Sequence, residues 1–426
     1  MRITAVLLLC VLFALPLQAE VYHSSDFGWE ADQDVSEEFA GLFKSGKLGK
    51  GDEFVLEHTY RVSGSYELPE DFTLSAVKGA GFEVTDVKQG NYHPFLVLND
   101  GNTVRNLTIN YLNTPHLDDP RSGITHGEDF IDKAGISASG KKNLRLENLH
   151  LEGSIAHHVR LNDRCEKPEF IGCHMVGGFW TVVLSAEDAV FRRCIFEKSH
   201  GDGIKTGWAK RPLVENCLFQ DCGRDGIDTT GGWDESIVRD SIFRRLGVSG
   251  LDLKSHYNKK SDLDSPENVG ILIENCTFLD MPNAVVFTTL DAGLKAQGEY
   301  FLNAENAEKY VPHDVDINNC TIGHVETPKV KEKKGGWGVN YPTQAGEYMR
   351  LLLVKDAHSI RYRNIRFQGE RIMPVYFHSG GGTRYLSEEA ASVVNYGVHG
   401  TIAGPAPTAK PGVKEAPFAC GPQPLD

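Results

Sequence analysis

After its first residues the chain contains no apolar run near the ~20 residues needed to span a bilayer, so no membrane association is expected once a leader is removed. It has no HExxH segment and no repeated Cys/His spacing, which removes the common zinc frameworks. It has no phosphate loop either: the glycines of GRDGIDTTGG (223–232) serve tight corners, so no nucleotide or organic cofactor is expected. Basic residues are in deficit, 44 Lys and Arg against 58 Asp and Glu, for a formal charge of −14. That balance argues against nucleic-acid partners and anionic membranes, while leaving room for a local basic groove that takes an acidic polymer.

Residues 1–19, MRITAVLLLCVLFALPLQA, hold one Arg, an apolar run and a small residue at the end. They read as a secretory signal peptide with cleavage after Ala19, and imply a secreted or periplasmic protein expected to act as a monomer. Export permits disulfides, yet Cys173, Cys194, Cys217, Cys276 and Cys320 recur inside apolar segments, where free cysteine behaves as a small buried hydrophobe. Cys165, Cys222 and Cys420 fall outside that series and leave a pairing among themselves open.

The chain repeats itself. VRNLTI (104–109), LENLHL (146–151), FIGCHM (170–175), FRRCIF (191–196), VENCLF (214–219), VRDSIF (238–243), IENCTF (273–278), INNCTI (317–322) and YRNIRF (362–367) share one pattern. Their fourth residues are 21 to 24 positions apart between 149 and 241, with longer intervals elsewhere that leave room for loops. Ten residues past the fourth position an aliphatic residue recurs at Val159, Val183, Ile204, Ile227, Leu251, Val286 and Val375. Two apolar strand segments per turn of about 23 residues, held in phase, describe an all-β right-handed parallel β-helix. Phe196, Phe219, Phe243, Phe278 and Phe367 would form an internal stack, and Asn148, Asn216, Asn275, Asn319 and Asn364 a turn ladder. Val35, Phe39, Leu42 and Phe43 share one helical face, which suits an N-terminal cap over the open end. The expected organisation is a signal peptide over 1–19, a capped β-helix over 20–403 and a Pro-rich tail over 404–426. The segments 114–133, 256–268 and 290–313 are insertions long enough to wall a groove.

One repeated position carries charge. HGDGIKTGW (200–208), GRDGIDTTGG and VSGLDLKSH (248–256) place Lys205, Asp228 and Asp252 on consecutive rungs, with Lys254 two residues beyond Asp252. Placing the aliphatic marker inside puts Arg160, Leu184, Lys205, Asp228, Asp252, Phe287 and Tyr376 in one outward column. A second column holds Asn162, Ala186, Gly207, Thr230, Lys254, Thr289 and His378. The preceding turns add His157, Asp202 and Asp225, with His200 beside them. Stacked aspartates repel unless neutralised: either Lys205 and Lys254 pair with them as a structural ladder, or Asp225, Asp228 and Asp252 hold Ca²⁺ and a lysine is left as a base. Trp180, Trp208 and Tyr376 border the same face and can stack on sugar rings.

An exported β-helix with this strand face resembles the polysaccharide lyases of the pectate, alginate and chondroitin lyase type, on the motifs GIKTG, GIDTT and GLDLKS. The resemblance implies β-elimination on a uronic-acid polysaccharide. Lys254 or Lys205 would be the base, Arg160 or Arg224 would neutralise the substrate carboxylate, and His200 or Tyr257 would donate the proton. His157, Trp180, Trp208, Tyr376 and His378 would bind sugar. GRDGIDTT is also similar to the NTDGID element of polygalacturonases, which implies a hydrolase in which Asp225, Asp228 and Asp252 supply the acid and base. A non-catalytic carbohydrate-binding β-helix is the third reading.

Overall fold

The computed structural model describes residues 19–85, 94–112, 134–153, 156–230, 232–256, 268–290, 311–323, 349–354, 357–369, 372–377 and 398–402. The leader up to residue 18, the 114–133 insertion, residues 257–267 and 291–310 of the other two insertions, and the tail with Cys420 lie outside the described residues.

Every strand pairing among the described residues is parallel, and the central turns contribute three strands each. Val190–Arg192, Ile195–Glu197 and Ile204–Lys210 make one such rung; Leu213–Glu215, Leu218–Gln220 and Asp225–Asp228 make the next. The corner between the first two strands is a single residue in the left-handed conformation, with φ between 52° and 57° at Asn106, Asn148, Asn216, Asn275, Asn319 and Asn364. Asparagine tolerates that region better than other side-chain-bearing residues. Its amide also bridges rungs: Asn148 donates to Asn106 Oδ1 at 3.1 Å and Asn319 to Asn275 Oδ1 at 2.6 Å. The turn ladder read from the sequence is therefore present.

Inside the coil, Phe196, Phe219, Phe243 and Phe278 stack at centroid separations of 4.6, 4.7 and 5.0 Å, nearly coplanar. Ile322 takes the next place in that column, so Phe367 is separated from Phe278 and is only half-buried. The cysteines line the corner; Cys194 and Cys217 Sγ donate to carbonyls of the preceding rung at 3.3 and 3.5 Å. Cys165 and Cys222 are free and buried as well, so they are not bonded to each other; Cys420, the third member of the pairing left open, lies outside the described residues.

At the N-terminal end the helix α1 (Ser36–Lys44) buries Phe39 and Leu42 and packs Phe43 against the core, as its spacing predicts. The Phe39 ring meets Tyr66, Phe82 and Phe54 at 4.7, 5.3 and 5.9 Å, closing the aromatic interior of the first rungs. Those rungs, Glu53–Leu56 to Gly81–Val84, extend the coil upstream of the first repeat recognised in the sequence. No helix among the described residues is long and apolar enough to cross a membrane.

The inward aliphatic row runs Val159, Val182, Ile204, Ile227, Leu251, Val285 and Leu352. The sequence register is thus one residue late at Val183 and Val286, and misses the rung of Leu352. In both slipped rungs the connection after the cysteine is one residue shorter, and pairing follows the buried row rather than a fixed count.

Truncation of Phe219, fully buried between two coplanar rings, should destabilise the coil by about 3–5 kcal/mol. Phe367→Ala should cost clearly less. Denaturant midpoints of the two variants give the comparison, and equal losses would mean the ring stack carries no special share of the core.

Candidate active site

The acid-bearing turns are shaped by the aromatic stack. Gly203, Gly226 and Gly250 occupy one position on three rungs, and a Cβ on any of them would come within 2.5 to 2.8 Å of the rings of Phe219, Phe243 and Phe278. Only glycine lets the backbone approach the stack this closely. That contact sets the path of Asp202, Asp225 and Ser249, each directly before its glycine.

Lys205, Asp228 and Asp252 are register partners on successive rungs, as the repeats imply. The lysine Nζ donates to Asp228 Oδ2 at 2.6 Å and to Thr230 Oγ1 at 2.7 Å, and stands 3.8 Å from Asp202 Oδ2. Lys254 Nζ lies 3.2 Å from Asp228 Oδ2 and 2.8 Å from Asp252 Oδ2. The latter contact lacks hydrogen-bond alignment, so both Asp252 oxygens are buried without a hydrogen bond. The Arg224 guanidinium stands 3.8 Å from Asp202, 3.7 Å from Asp225 and 3.8 Å from Asp228. Ser249 Oγ donates to Asp225 Oδ1 at 2.5 Å, while Asp225 Oδ2 and Asp202 Oδ2 are buried and make no hydrogen bond.

Exposure within the cluster is uneven. The side chains of Asp202, Asp225 and Asp228 are 0% exposed, that of Asp252 1% and that of Lys254 9%; Lys205 and Arg224 reach 16% and 19%. The carboxylates therefore do not line an outward trough, which corrects the sequence expectation. They are sealed in, and the side chains nearest to solvent are the cations.

Burial sorts the acids. For Asp228, burial alone would raise the pKa, but Lys205, Lys254 and Arg224 together outweigh it and hold the group well below the usual range. Asp225 is pushed well above that range by burial and by the charges of Asp202 and Asp252. Asp202 is raised by burial, with Arg224 opposing. Arg224 is held even more firmly in its charged form, first by Asp202. Four carboxyl groups face three cations, so one proton on Asp225 leaves the cluster neutral.

Among the described residues, one set of potential metal ligands converges: Asp202, Asp225 and Asp228, with ligand atoms within 4.8 Å of one another. Asp252 stands outside it. The set is all-oxygen, as a hard cation prefers. Its common centre, however, is already lined by the guanidinium and the Lys205 ammonium, so Ca²⁺ does not fit the arrangement as it stands.

The remaining expected site residues are spread along the coil. Arg160 pairs with Val183, which pairs with Lys205, so it lies two rungs away; its Nε donates to Asn162 Oδ1 at 2.9 Å. Val183 and Val286 replace Leu184 and Phe287 in the outward column, and Thr288 replaces Thr289 beside Lys254. His157 is not a groove residue: it is 1% exposed, its Nδ1 lies 3.0 Å from Trp180 O, and its ring stacks on Trp180. Trp180 is half-buried, with Lys205 Nζ 4.9 Å from its ring centroid; Trp208, also half-buried, lies under Arg164 at 4.7 Å. His200 packs on Phe179 at 5.5 Å in the same rung as Lys205. The backbone of Tyr376 pairs three rungs beyond Asp252. Its side chain, Tyr257 and His378 lie outside the described residues. Asp202, Thr230 and Ser249 belong to the cluster without having been assigned a role. For Asp202 the signal was available, since GDGI and RDGI place it at the position of Asp225.

The family model for a right-handed β-helix region matches residues 134–277, and no curated protein matches the sequence. Among solved structures, the surface adhesin PfbA of Streptococcus pneumoniae is similar over 83% of this chain and 93% of its own (TM-score 0.54, 13% identity). The family 28 exopolygalacturonase of Yersinia enterocolitica is similar over 90% and 78% (0.52, 14%), and the Dettilon tailspike protein over 85% and 69% (0.51, 12%). At these identities the likeness establishes the right-handed β-helix fold alone.

The split in acidity has a measurable sign. Asp225, raised when folded, contributes stability that is complete below about pH 4 and is lost as pH rises through its folded value. Asp228, depressed when folded, does the reverse: its contribution is present above about pH 4 and is lost as pH falls. Asp225→Asn, a neutral mimic of the protonated acid, should therefore gain melting temperature over the parent as pH rises from 4 to 8. A variant that becomes progressively less stable than the parent toward pH 8 would show Asp225 to be an ionised, paired group.

Proposed function

We propose that the chain is an exported polysaccharide lyase that cleaves a uronic-acid polymer by β-elimination. One observation carries this reading: the buried network presents its cations to the outside and keeps its carboxylates beneath them. A polymer arriving at this face meets Lys205, Arg224 and Trp180 before any acid. That order suits an anionic sugar whose carboxylate must be neutralised before its C5 hydrogen becomes acidic. It suits poorly a hydrolase that needs a carboxylic acid against the glycosidic oxygen.

In this mechanism Lys205 and Arg224 take the substrate carboxylate, and the half-buried Trp180 ring offers a stacking surface for the sugar. Lys254 is the base. A lysine serves only as the neutral amine, and Lys254, a cation in the resting network, reaches that form by passing a proton to Asp252 Oδ2, 2.8 Å away. It removes the C5 proton; that electron pair forms the C4–C5 double bond as the C4–oxygen bond breaks, and the departing glycosidic oxygen takes a proton. His200, on the rung of Lys205, is the described candidate for the donor. Asp228 holds both lysines and acts as a positioning residue. Arg160, two rungs away, is too distant to share in the bond-breaking step and belongs with binding of a neighbouring sugar.

A hydrolase is the second reading, favoured by Asp225, raised by burial, beside Asp228, held low by its cations, a split that acid–base pairs use. The family 28 exopolygalacturonase that shares the fold agrees in substrate class with either reading.

Polygalacturonate and alginate, incubated separately with the protein, should yield products absorbing in the ultraviolet. Lys254→Met should lower that rate by at least about a hundredfold, and Lys205→Met should chiefly raise KM. New reducing ends without absorbance would replace elimination by hydrolysis; neither signal, together with retained polymer binding, would leave a binding protein.

A further inference from the structure

The triad Asp202, Asp225 and Asp228 is the arrangement that would ordinarily call for a divalent ion: three buried carboxyl groups with ligand atoms within 4.8 Å, two oxygens of which make no hydrogen bond. Arg224 stands against all three at once, at 3.7 to 3.8 Å. We propose that its guanidinium is the built-in cation of this site, taking the place of a divalent metal, so that the protein works without Ca²⁺.

Three features support the assignment. The distances are nearly equal to three different acids, whereas Lys205 and Lys254 each form one close pair and one longer contact. A charge placed centrally serves the whole triad, and a guanidinium keeps that charge at any working pH. The second feature is the backbone. Arg224 N–H donates to Gly201 O at 3.0 Å, and Val248 N–H donates to Arg224 O at 2.9 Å, so the residue is tied to the rungs before and after it. The third is the charge count. Three cations against four carboxyl groups leave the cluster within one charge of neutral. A dication added to it would be in excess and would sit beside a fixed guanidinium. Removing the guanidinium leaves the cluster one charge short with Asp225 protonated and two short once a metal ion displaces that proton, which is the charge of one Ca²⁺.

The inference deepens the elimination mechanism by giving the neutralising charge to the chain itself, but its test needs no sugar. Calorimetric titration with Ca²⁺ and melting temperature in Ca²⁺ against EDTA are to be measured for the parent, Arg224→Ala and Arg224→Gln. The parent should show no Ca²⁺ heat and no shift in melting temperature. At least one variant should bind one Ca²⁺ and gain about 3 °C or more with it. Stoichiometric Ca²⁺ binding by the parent overturns the proposal, because the guanidinium then does not hold the place of the ion. Two silent variants overturn it equally, since the triad would then not be a cation site. If Arg224→Ala does not fold, Arg224→Gln and the parent titration still decide. The absence of elimination activity leaves all these readings intact, so a failed lyase assignment and a failed cation assignment are told apart.

Discussion

Parallel stacking constrains this molecule more than any other interaction. Each position of a rung lies against the same position of its neighbours at about the 4.8 Å strand spacing, so a residue choice is never made once. An apolar position becomes a column, and the column has to be compatible with itself. Phenylalanine satisfies this by lying flat on phenylalanine, asparagine by donating its amide to the asparagine of the preceding rung, and cysteine by filling the corner and donating to the previous rung. A charged position cannot satisfy it alone. Lys205, Asp228 and Asp252 occupy one column, and the two adjacent aspartates are tolerated because Lys254 reaches back between them from two residues further on.

The same constraint explains what could be read from the chain before its fold was known. Columns of identical residues leave periodic marks, so the coil, the ring stack, the turn ladder and the Lys205–Asp228–Asp252 line were legible. The marks fail where a connection changes length by one residue, as before Val182 and Val285, because counting assumes a constant turn while the strands follow the buried row. They fail again upstream of residue 104, where FVLEHTYRV and FTLSAVKGAGFEV carry the apolar alternation without the asparagine or cysteine that marks later rungs. Burial of the site was not legible at all. Alternation predicts that Asp228 points away from the coil interior, and it does; its full burial depends on tertiary packing over that face, which a period of two does not encode. His157 was misread for the same reason: a turn histidine looks solvated until Trp180 is seen lying on it.

Sealed charge is costly to keep. Removing ions from water carries a desolvation penalty that pairing often only just offsets, and apolar replacements are frequently as stable or more so. Seven ionisable side chains packed at Asp202, Lys205, Arg224, Asp225, Asp228, Asp252 and Lys254 are therefore poor evidence of a stabilising device. Several acceptor oxygens are left without hydrogen bonds, at Asp202, Asp225 and Asp252, which is the condition under which such a network destabilises rather than supports its surroundings. The surface ladders provide the contrast. Arg145 with Glu147 and Glu169, and Glu215 between Arg192 and Arg239, meet one another at hydrogen-bonding distance. In these two ladders charge holds rungs together while the arginine side chains stay about 40% exposed.

The geometry of the sealed cluster then bears on chemistry through its layering. Acids below and cations above form a unit whose negative layer fixes the positive one, so the lysines and arginine are aimed by carboxylates that solvent does not reach. Such preorganisation is what electrostatic catalysis requires: charges set in place before the transition state forms, in surroundings where they are not diluted by water. Asp228, ionised and shared by both lysines, is the hinge of that arrangement. The aromatic stack supports it from the other side, because the glycines at 203, 226 and 250 bring the acid-bearing turns down onto the rings of the core. The site is therefore continuous with the repeat that builds the fold, and a change in the phenylalanine column would be felt at the lysines.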